Sequence, residues 1–225
     1  MATVLLIRHG RTSANAAGVL AGWSPGVFLD EVGTAQVREL AGQVSELDLK
    51  AIVSSPLDRT LETSQELSNA ISATGKEISI RIDERIGECR YGDWTGKTLS
   101  ELSENELWPA VQAHPASVRF PGGESLLEMQ HRAVSCIRDL NAEFGSSSTY
   151  AVVSHGDVIK AILADALGMH LDHFQRIQVS PASVSVVRYT PARPFVAAVN
   201  VSAQGLKSSF GTNTSSEATV GGESE

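Results

Sequence analysis

Two apolar tetrads, each followed closely by a histidine-glycine pair, constrain this chain more than any other feature. Val4-Leu5-Leu6-Ile7 runs into Arg8-His9-Gly10-Arg11-Thr12, and Tyr150-Ala151-Val152-Val153 runs into Ser154-His155-Gly156-Asp157. An unbroken apolar run of this length reads as a strand buried on both faces, the kind found in parallel sheets covered by helices. Open α/β sheets bind ligands beyond the carboxyl ends of their strands. The two units therefore bring two imidazoles and an arginine to one sheet edge, at a shared site.

The intervening sequence supplies the helices such a sheet needs. Ala35, Val37, Leu40, Ala41, Val44 and Leu47 recur at helical spacing after a loop ending near Gly33. Ala51-Ile52-Val53-Ser54 reads as a short strand stopped by Ser55-Pro56, with Pro56 placed in the first turn of the next helix. Leu57, Leu61, Leu67 and Ile71 continue that helix, and Ile78 to Ile82 gives a third strand. Residues 83–124 break the rhythm with Gly-rich turns and the acidic stretch Glu101 to Glu106, and read as an inserted lid. Ser125 with Glu128 forms a capping-box signature ahead of a helix bearing Leu126, Met129, Ala133, Ile137 and Leu140. A helix from about Val158 to Leu167 comes after the second His-Gly unit. Val184 to Tyr189 and Phe195 to Val201, joined by Pro191-Ala192-Arg193-Pro194, read as late antiparallel strands. Alternation of strands and helices predicts an α/β fold. The expected layout is one catalytic domain over 1–202, with a disordered Ser/Thr/Gly/Glu-rich tail over 203–225.

Composition narrows the function. A net charge of −8 with no basic tract argues against nucleic acid and anionic membrane as partners. No apolar run approaches the roughly 18 residues of a membrane span, and no leader segment is expected ahead of the first strand. Cys89 and Cys136 form no disulfide pattern, so a cytoplasmic setting is expected.

Four segments carry residue types that can do chemistry together. They are Arg8-His9-Gly10-Arg11-Thr12 with Asn15 beyond, Ser54 to Thr63, Glu88-Cys89-Arg90-Tyr91-Gly92, and Ser154-His155-Gly156-Asp157. Arg59 falls in the first turn of a helix, where a cation is unfavourable unless an anion compensates it. A phosphate would meet both its guanidinium and the free helix N–H groups. An imidazole can carry a covalent phosphoryl group, arginines and a second imidazole can clamp its oxygens, and a carboxylic acid can protonate a leaving alkoxide. His9 and His155 with Glu88 or Asp157 could instead hold a metal, but the neighbouring arginines repel a divalent cation. Neither metal nor cofactor is expected.

Taken in order, Leu-Ile-Arg-His-Gly-Arg-Thr, Ser-Pro-Leu-Asp-Arg-Thr-Leu-Glu-Thr and Val-Ser-His-Gly resemble the histidine phosphatase superfamily, whose members include cofactor-dependent phosphoglycerate mutases and broad bacterial phosphatases. The resemblance covers Val4 to about Val201. It implies a three-layer α/β/α sandwich, with a Rossmann-like six-stranded sheet that is mostly parallel and has one antiparallel strand. On this pattern His9 is the phosphorylated histidine. Arg8, Arg59 and His155 are phosphate-pocket residues, and Glu88 is the proton donor. Asn15, Gly22 (through its backbone), Tyr91, Lys97 and Gly156 fall at substrate-side positions.

Departures from the pattern bear on the reaction. Mutases of the family carry a longer insertion with paired arginines. Here residues 98–121 hold one arginine, Arg119, against Glu101, Glu104 and Glu106. Pro121-Gly122-Gly123-Glu124-Ser125 resembles the phosphatase branch, and Asp157 stands where mutases commonly have asparagine. The expectation is a metal-independent phosphomonoester hydrolase acting on a small phosphorylated metabolite. A phosphomutase and a noncatalytic phospho-ligand binder are the alternatives, and a homodimer is left open.

Overall fold

A computed structural model describes residues 1–205. In chain order the elements are β1 (Ala2–Arg8), the short α1 (Ser13–Ala16), α2 (Glu31–Val44), β2 (Ile52–Ser54), α3 (Asp58–Ser72) and β3 (Ile80–Ile82). Then come α4 (Leu99–Ser103), α5 (Trp108–Ala113), α6 (Leu126–Phe144), β4 (Thr149–Ser154), α7 (Gly156–Leu167), β5 (Val184–Tyr189) and β6 (Pro194–Val201). The six strands form one sheet in the order β3-β2-β4-β1-β5-β6. Only β5 runs against the others: it pairs antiparallel with both β1 and β6, while β1, β2, β3 and β4 pair in parallel. This is the α/β sandwich with a mixed, mostly parallel sheet that the strand pattern predicts.

Strand geometry sorts the side chains. Because successive residues point to opposite faces, Val4 and Leu6 join the core formed with α6 and α7, whereas Leu5 and Ile7 join the core under α2 and α3. Both faces are covered, so β1 can be apolar at every position. Truncating Leu6 or Ile7 to alanine would cost about 2–5 kcal/mol.

Register places the chemistry. Arg8 lies beside Ser154, and Ser54 beside Val153, so β1, β2 and β4 end together. His9 and His155 come directly after two neighbouring strand ends.

Among the boundaries that differ from the sequence expectation, three are set by local causes. Helix α2 starts at Glu31, not after Gly33, because the Asp30 carboxylate accepts a 2.7 Å hydrogen bond from the Gly33 N–H and caps the helix. Gly33 is a helical residue chosen for close approach, since a Cβ there would lie 2.0 Å from the Arg11 carbonyl oxygen. Pro56 lies outside the first turn of α3: Leu57 is still extended and serves as the N-cap, which puts the first helical residue at Asp58. Strand β3 is confined to Ile80–Ile82, where it pairs with β2.

The large rings of residues 83–124 pack in the core. Trp94 stacks on Trp108 with ring centroids 6.1 Å apart, and Phe120 sets its edge against Trp94 and Tyr91 at 5.2 and 5.1 Å. These rings share one cluster with Met129, Ile137, Val158 and Ile162 of α6 and α7. Helix α6 begins with the expected capping box, Ser125 and Glu128 each bonding the other's backbone N–H. Among the described residues no helix is long and apolar enough to cross a membrane. The tail expected from residue 203 lies almost wholly outside the described residues.

Candidate active site

His9 leaves β1 with its ring fixed. Its Nδ1 lies 2.7 Å from the Gly10 carbonyl oxygen, an acceptor, so Nδ1 carries the proton and Nε2 keeps its lone pair. Arg59 Nε donates to that Nε2 at 3.3 Å. Burial, then the charges of Arg59 and Arg8, hold the His9 imidazole well below its usual pKa, so it is neutral. Gly10 lets the chain turn here under α2, because a Cβ would sit 2.7 Å from the Gly33 carbonyl oxygen.

The cations converge on His9 from separate segments. Arg8 is fully buried, and its Nη1 donates to the Val179 carbonyl at 2.6 Å. Arg59, in the first turn of α3, also donates through Nη2 to the Gly22 carbonyl at 2.9 Å, while its buried Nη1 has no hydrogen-bond partner. His155 faces His9 with ring centroids 5.3 Å apart. Its Nε2 shares a 2.7 Å hydrogen bond with Ser55 Oγ, and its buried Nδ1 has no hydrogen-bond partner. Burial, then Arg59, His9 and Arg8, push the His155 pKa down, so this ring too is neutral. A tetrahedral oxyanion at this point would satisfy the unpaired guanidinium nitrogen and meet donors from β1, α3 and the β4 end.

Glu88 enters the same cleft. Its Oε1 accepts from the Cys89 N–H at 2.9 Å, and its Oε2 lies 4.0 Å from His155 Nδ1. Burial, with the Asp157 charge second, raises its pKa from 4.5 to about 7, against the pull of Arg59 and Arg8. Asp157, in the first turn of α7, accepts a 2.9 Å hydrogen bond from the Tyr91 hydroxyl. The buried Cys89 thiol is pushed well above its usual pKa by burial, which removes it as a second nucleophile.

The backbone around Glu88 is clamped by a residue that sequence reasoning misses. Arg132 of α6 uses all five of its N–H donors. Nη1 donates to the Arg85 and Gly87 carbonyls, both at 2.8 Å, and Nη2 to the Glu88 carbonyl at 2.9 Å. Nε and Nη2 pair with the two oxygens of Glu124 at 3.0 and 2.5 Å. Glu124 in turn accepts from the Arg90 N–H at 2.8 Å, and Trp23 Nε1 donates to the Glu88 carbonyl at 2.5 Å. Glu124 carries a signal, its Pro-Gly-Gly-Glu-Ser context. Arg132 carries none, because carbonyls distant in sequence are what it binds.

The expected substrate-side residues divide. Asn15, Gly22 and Tyr91 line the cleft together with His9, Arg59 and Glu88. Asn15 also builds the loop: its Oδ1 accepts from the Thr12 N–H and hydroxyl at 3.1 and 2.9 Å. Lys97 is exposed and does not line the cleft, and its carbonyl instead accepts from the Leu20 N–H at 2.9 Å. Gly156 is buried as the first residue of α7 and lies off the cleft wall. Among the described residues no group of three His, Cys, Asp or Glu side chains could hold a metal ion.

Fold and site together set two neutral imidazoles and two buried arginines at one sheet edge. The chain belongs to the histidine phosphatase superfamily, branch 1, whose pattern matches residues 4–202. It is 30% identical over 203 residues to phosphoserine phosphatase 1 of Hydrogenobacter thermophilus, covering 89% of this chain and 93% of that one. Identity is also 30% over 189 residues to a probable phosphoglycerate mutase, GpmB, of Erwinia tasmaniensis, covering 83% and 85%. Among solved structures, YhfR of Bacillus stearothermophilus superposes with a TM-score of 0.80 at 27% identity, over 88% of this chain and 96% of that one. A mutant phosphoserine phosphatase of Entamoeba histolytica, in complex with phosphoserine, gives 0.77 at 26% identity, over 89% and 97%.

Proposed function

We propose that this protein is a metal-independent phosphomonoester hydrolase working through a phosphohistidine on His9. The observation that carries the reading is the fixed tautomer of His9, whose Nε2 lone pair opens onto Arg59 beside Arg8, His155 and Glu88. Nε2 attacks phosphorus as the P–O bond to the alcohol breaks, and Glu88 gives its proton to the departing oxygen. Arg8, Arg59 and His155 hold the phosphoryl oxygens as charge moves. Water then attacks the phosphohistidine, Glu88 takes a proton from it, and phosphate leaves with His9 and Glu88 restored. A carboxyl group titrating near 7 suits both the donating and the accepting step.

Hydrolysis is favoured over mutase chemistry by the cleft walls. Arg59 is the cation lining them among the described residues, and Arg119 of the acidic segment is paired with Glu128. Among the described residues lining the cleft, a bisphosphate retained between two transfers meets no second cluster of cations.

Brief reaction with labelled p-nitrophenyl phosphate should leave acid-labile label on His9, and His9→Ala should abolish both label and turnover while the protein stays folded. EDTA should leave turnover unchanged. Label on another residue, turnover by H9A, or loss with EDTA that one divalent ion restores would overturn the reading.

A further inference from the structure

A neutral imidazole can carry its proton on either ring nitrogen, and what it offers a ligand depends on which. For His9 the Gly10 carbonyl decides. For His155 the decision falls to a side-chain hydroxyl. Ser55 Oγ lies 2.7 Å from His155 Nε2, and both residues are fully buried.

The hydroxyl comes from a fixed point. The Ser55 N–H donates to the Val153 carbonyl at 3.0 Å, and the Ser55 carbonyl accepts from the Thr60 hydroxyl at 3.0 Å. Ser55 thus stays at the end of β2, against the strand from which His155 emerges. Its Oγ meets two groups, His155 Nε2 and the Leu57 N–H, which donates to it at 3.4 Å. A hydroxyl has one proton to give and two lone pairs. The Leu57 N–H can only donate, so the Nε2 lone pair is the one acceptor for the serine proton. Were Nε2 protonated, the serine proton would be buried without an acceptor, which is costly.

His155 therefore carries its proton on Nδ1. That atom has no hydrogen-bond partner within the protein and lies 4.0 Å from Oε2 of Glu88, a side chain that lines the cleft. The two histidines are the same tautomer presented in opposite ways. His9 shows the site its lone pair, and His155 shows it an N–H.

We infer that Ser55 is a positioning residue: its hydroxyl locks His155 as the Nδ1–H tautomer and so makes that ring a donor to a phosphoryl oxygen. The donor role rests on the phosphohydrolase reading; the tautomer does not. Without the hydroxyl, Nε2 is free to take the proton, and Nδ1 would then turn a lone pair toward an anion.

Long-range 1H–15N spectra of the resting protein, at a pH where the ring is neutral, read the tautomer directly, with the His155 signals identified by their loss in His155→Gln. The wild type should show Nδ1 protonated and Nε2 bare. Ser55→Ala should move a measurable fraction of the proton to Nε2, and Ser55→Thr should keep it on Nδ1. Inorganic phosphate should bind S55A at least about tenfold more weakly. Its kcat/KM should fall by at least about tenfold, toward the roughly 10²–10³-fold that loss of one oxyanion donor costs. p-Nitrophenyl phosphate and butyl phosphate should lose equally, because a clamp on the phosphoryl oxygens is indifferent to the leaving group, and S55T should recover most of the loss. If the added methyl group unfolds S55T, the wild-type and S55A spectra alone decide. Nε2-protonated His155 in the wild type, or a tautomer unmoved in S55A, would overturn the inference while His9 labelling by p-nitrophenyl phosphate still upheld the hydrolase reading. A loss confined to butyl phosphate would also overturn it, and would assign Ser55 to the acid step at Glu88. Absence of His9 label with any ester, beside an Nδ1–H His155, would overturn the hydrolase reading and with it the donor role.

Discussion

Replacing Glu88 by glutamine should make the protein more stable at alkaline pH, by an amount the site geometry sets. Glu88 is 4% exposed and has its pKa raised from 4.5 to about 7. Below about pH 4.5 the carboxyl group is protonated in folded and unfolded chains alike. Between 4.5 and 7 the unfolded chain releases the proton and the folded one keeps it, so stability falls as pH rises through this window. Glutamine cannot ionise, yet its amide oxygen can still accept from the Cys89 N–H. The advantage of E88Q over wild type should therefore grow by about 2–3 kcal/mol from about pH 5 to about pH 8, the integral of that pKa difference. Urea unfolding of both proteins at the two pH values reads this directly, since groups common to both cancel. In thermal melts the gap should widen by roughly 5–10 °C for a chain of this size. A gap that stays constant with pH would refute the raised pKa, and with it the poised acid.

The same group should appear in the kinetics. With an alkyl phosphate, kcat/KM should fall as pH rises above about 7, because the proton needed by the leaving oxygen is lost; p-nitrophenyl phosphate, a good leaving group, should fall less. Asp157→Asn removes a charge that raises the Glu88 pKa while leaving an acceptor for Tyr91, so this limb should move to lower pH; an unmoved limb would exclude Asp157 as its cause. Arg132→Lys leaves too few donors for the five bonds around Glu88. Turnover of butyl phosphate should drop about 10–100-fold and that of p-nitrophenyl phosphate less, and equal losses on both would show that Arg132 does not position the acid.

How much can be read from the sequence depends on how local the cause is. Arg8, His9 and His155 are readable because buried parallel strands announce themselves as apolar runs, and the residues just past such a run must sit at the sheet edge. Arg59 is readable because a cation in the first turn of a helix wants an anion. Gly33 misleads because glycine signals both a helix end and a close approach, and here the approach of α2 to Arg11 decides. Lys97 is near the cleft in sequence, but its side chain is exposed and its backbone carbonyl is what the structure engages, through the Leu20 N–H. Residues 83–124 resemble a lid because their elements are short and Gly-rich; their apolar rings meet α6 and α7 only in three dimensions. The Arg132 clamp is of that second kind throughout.

Strand order carries a consequence for how the protein comes into being. β4 lies between β1 and β2, so the first two strands made have no edge in common until Thr149–Ser154 has been synthesised. His155 arrives with that same strand. On the ribosome, the early βαβ segments must wait as separate pieces with apolar faces exposed, the long-range pairing that slows folding and invites aggregation. Insertion of β4 then joins β1 to β2 and brings His155 beside His9, and β5 and β6 extend the sheet from β1 afterwards. A chain halted before Ser154 lacks His155 and leaves β1 and β2 without a shared neighbour.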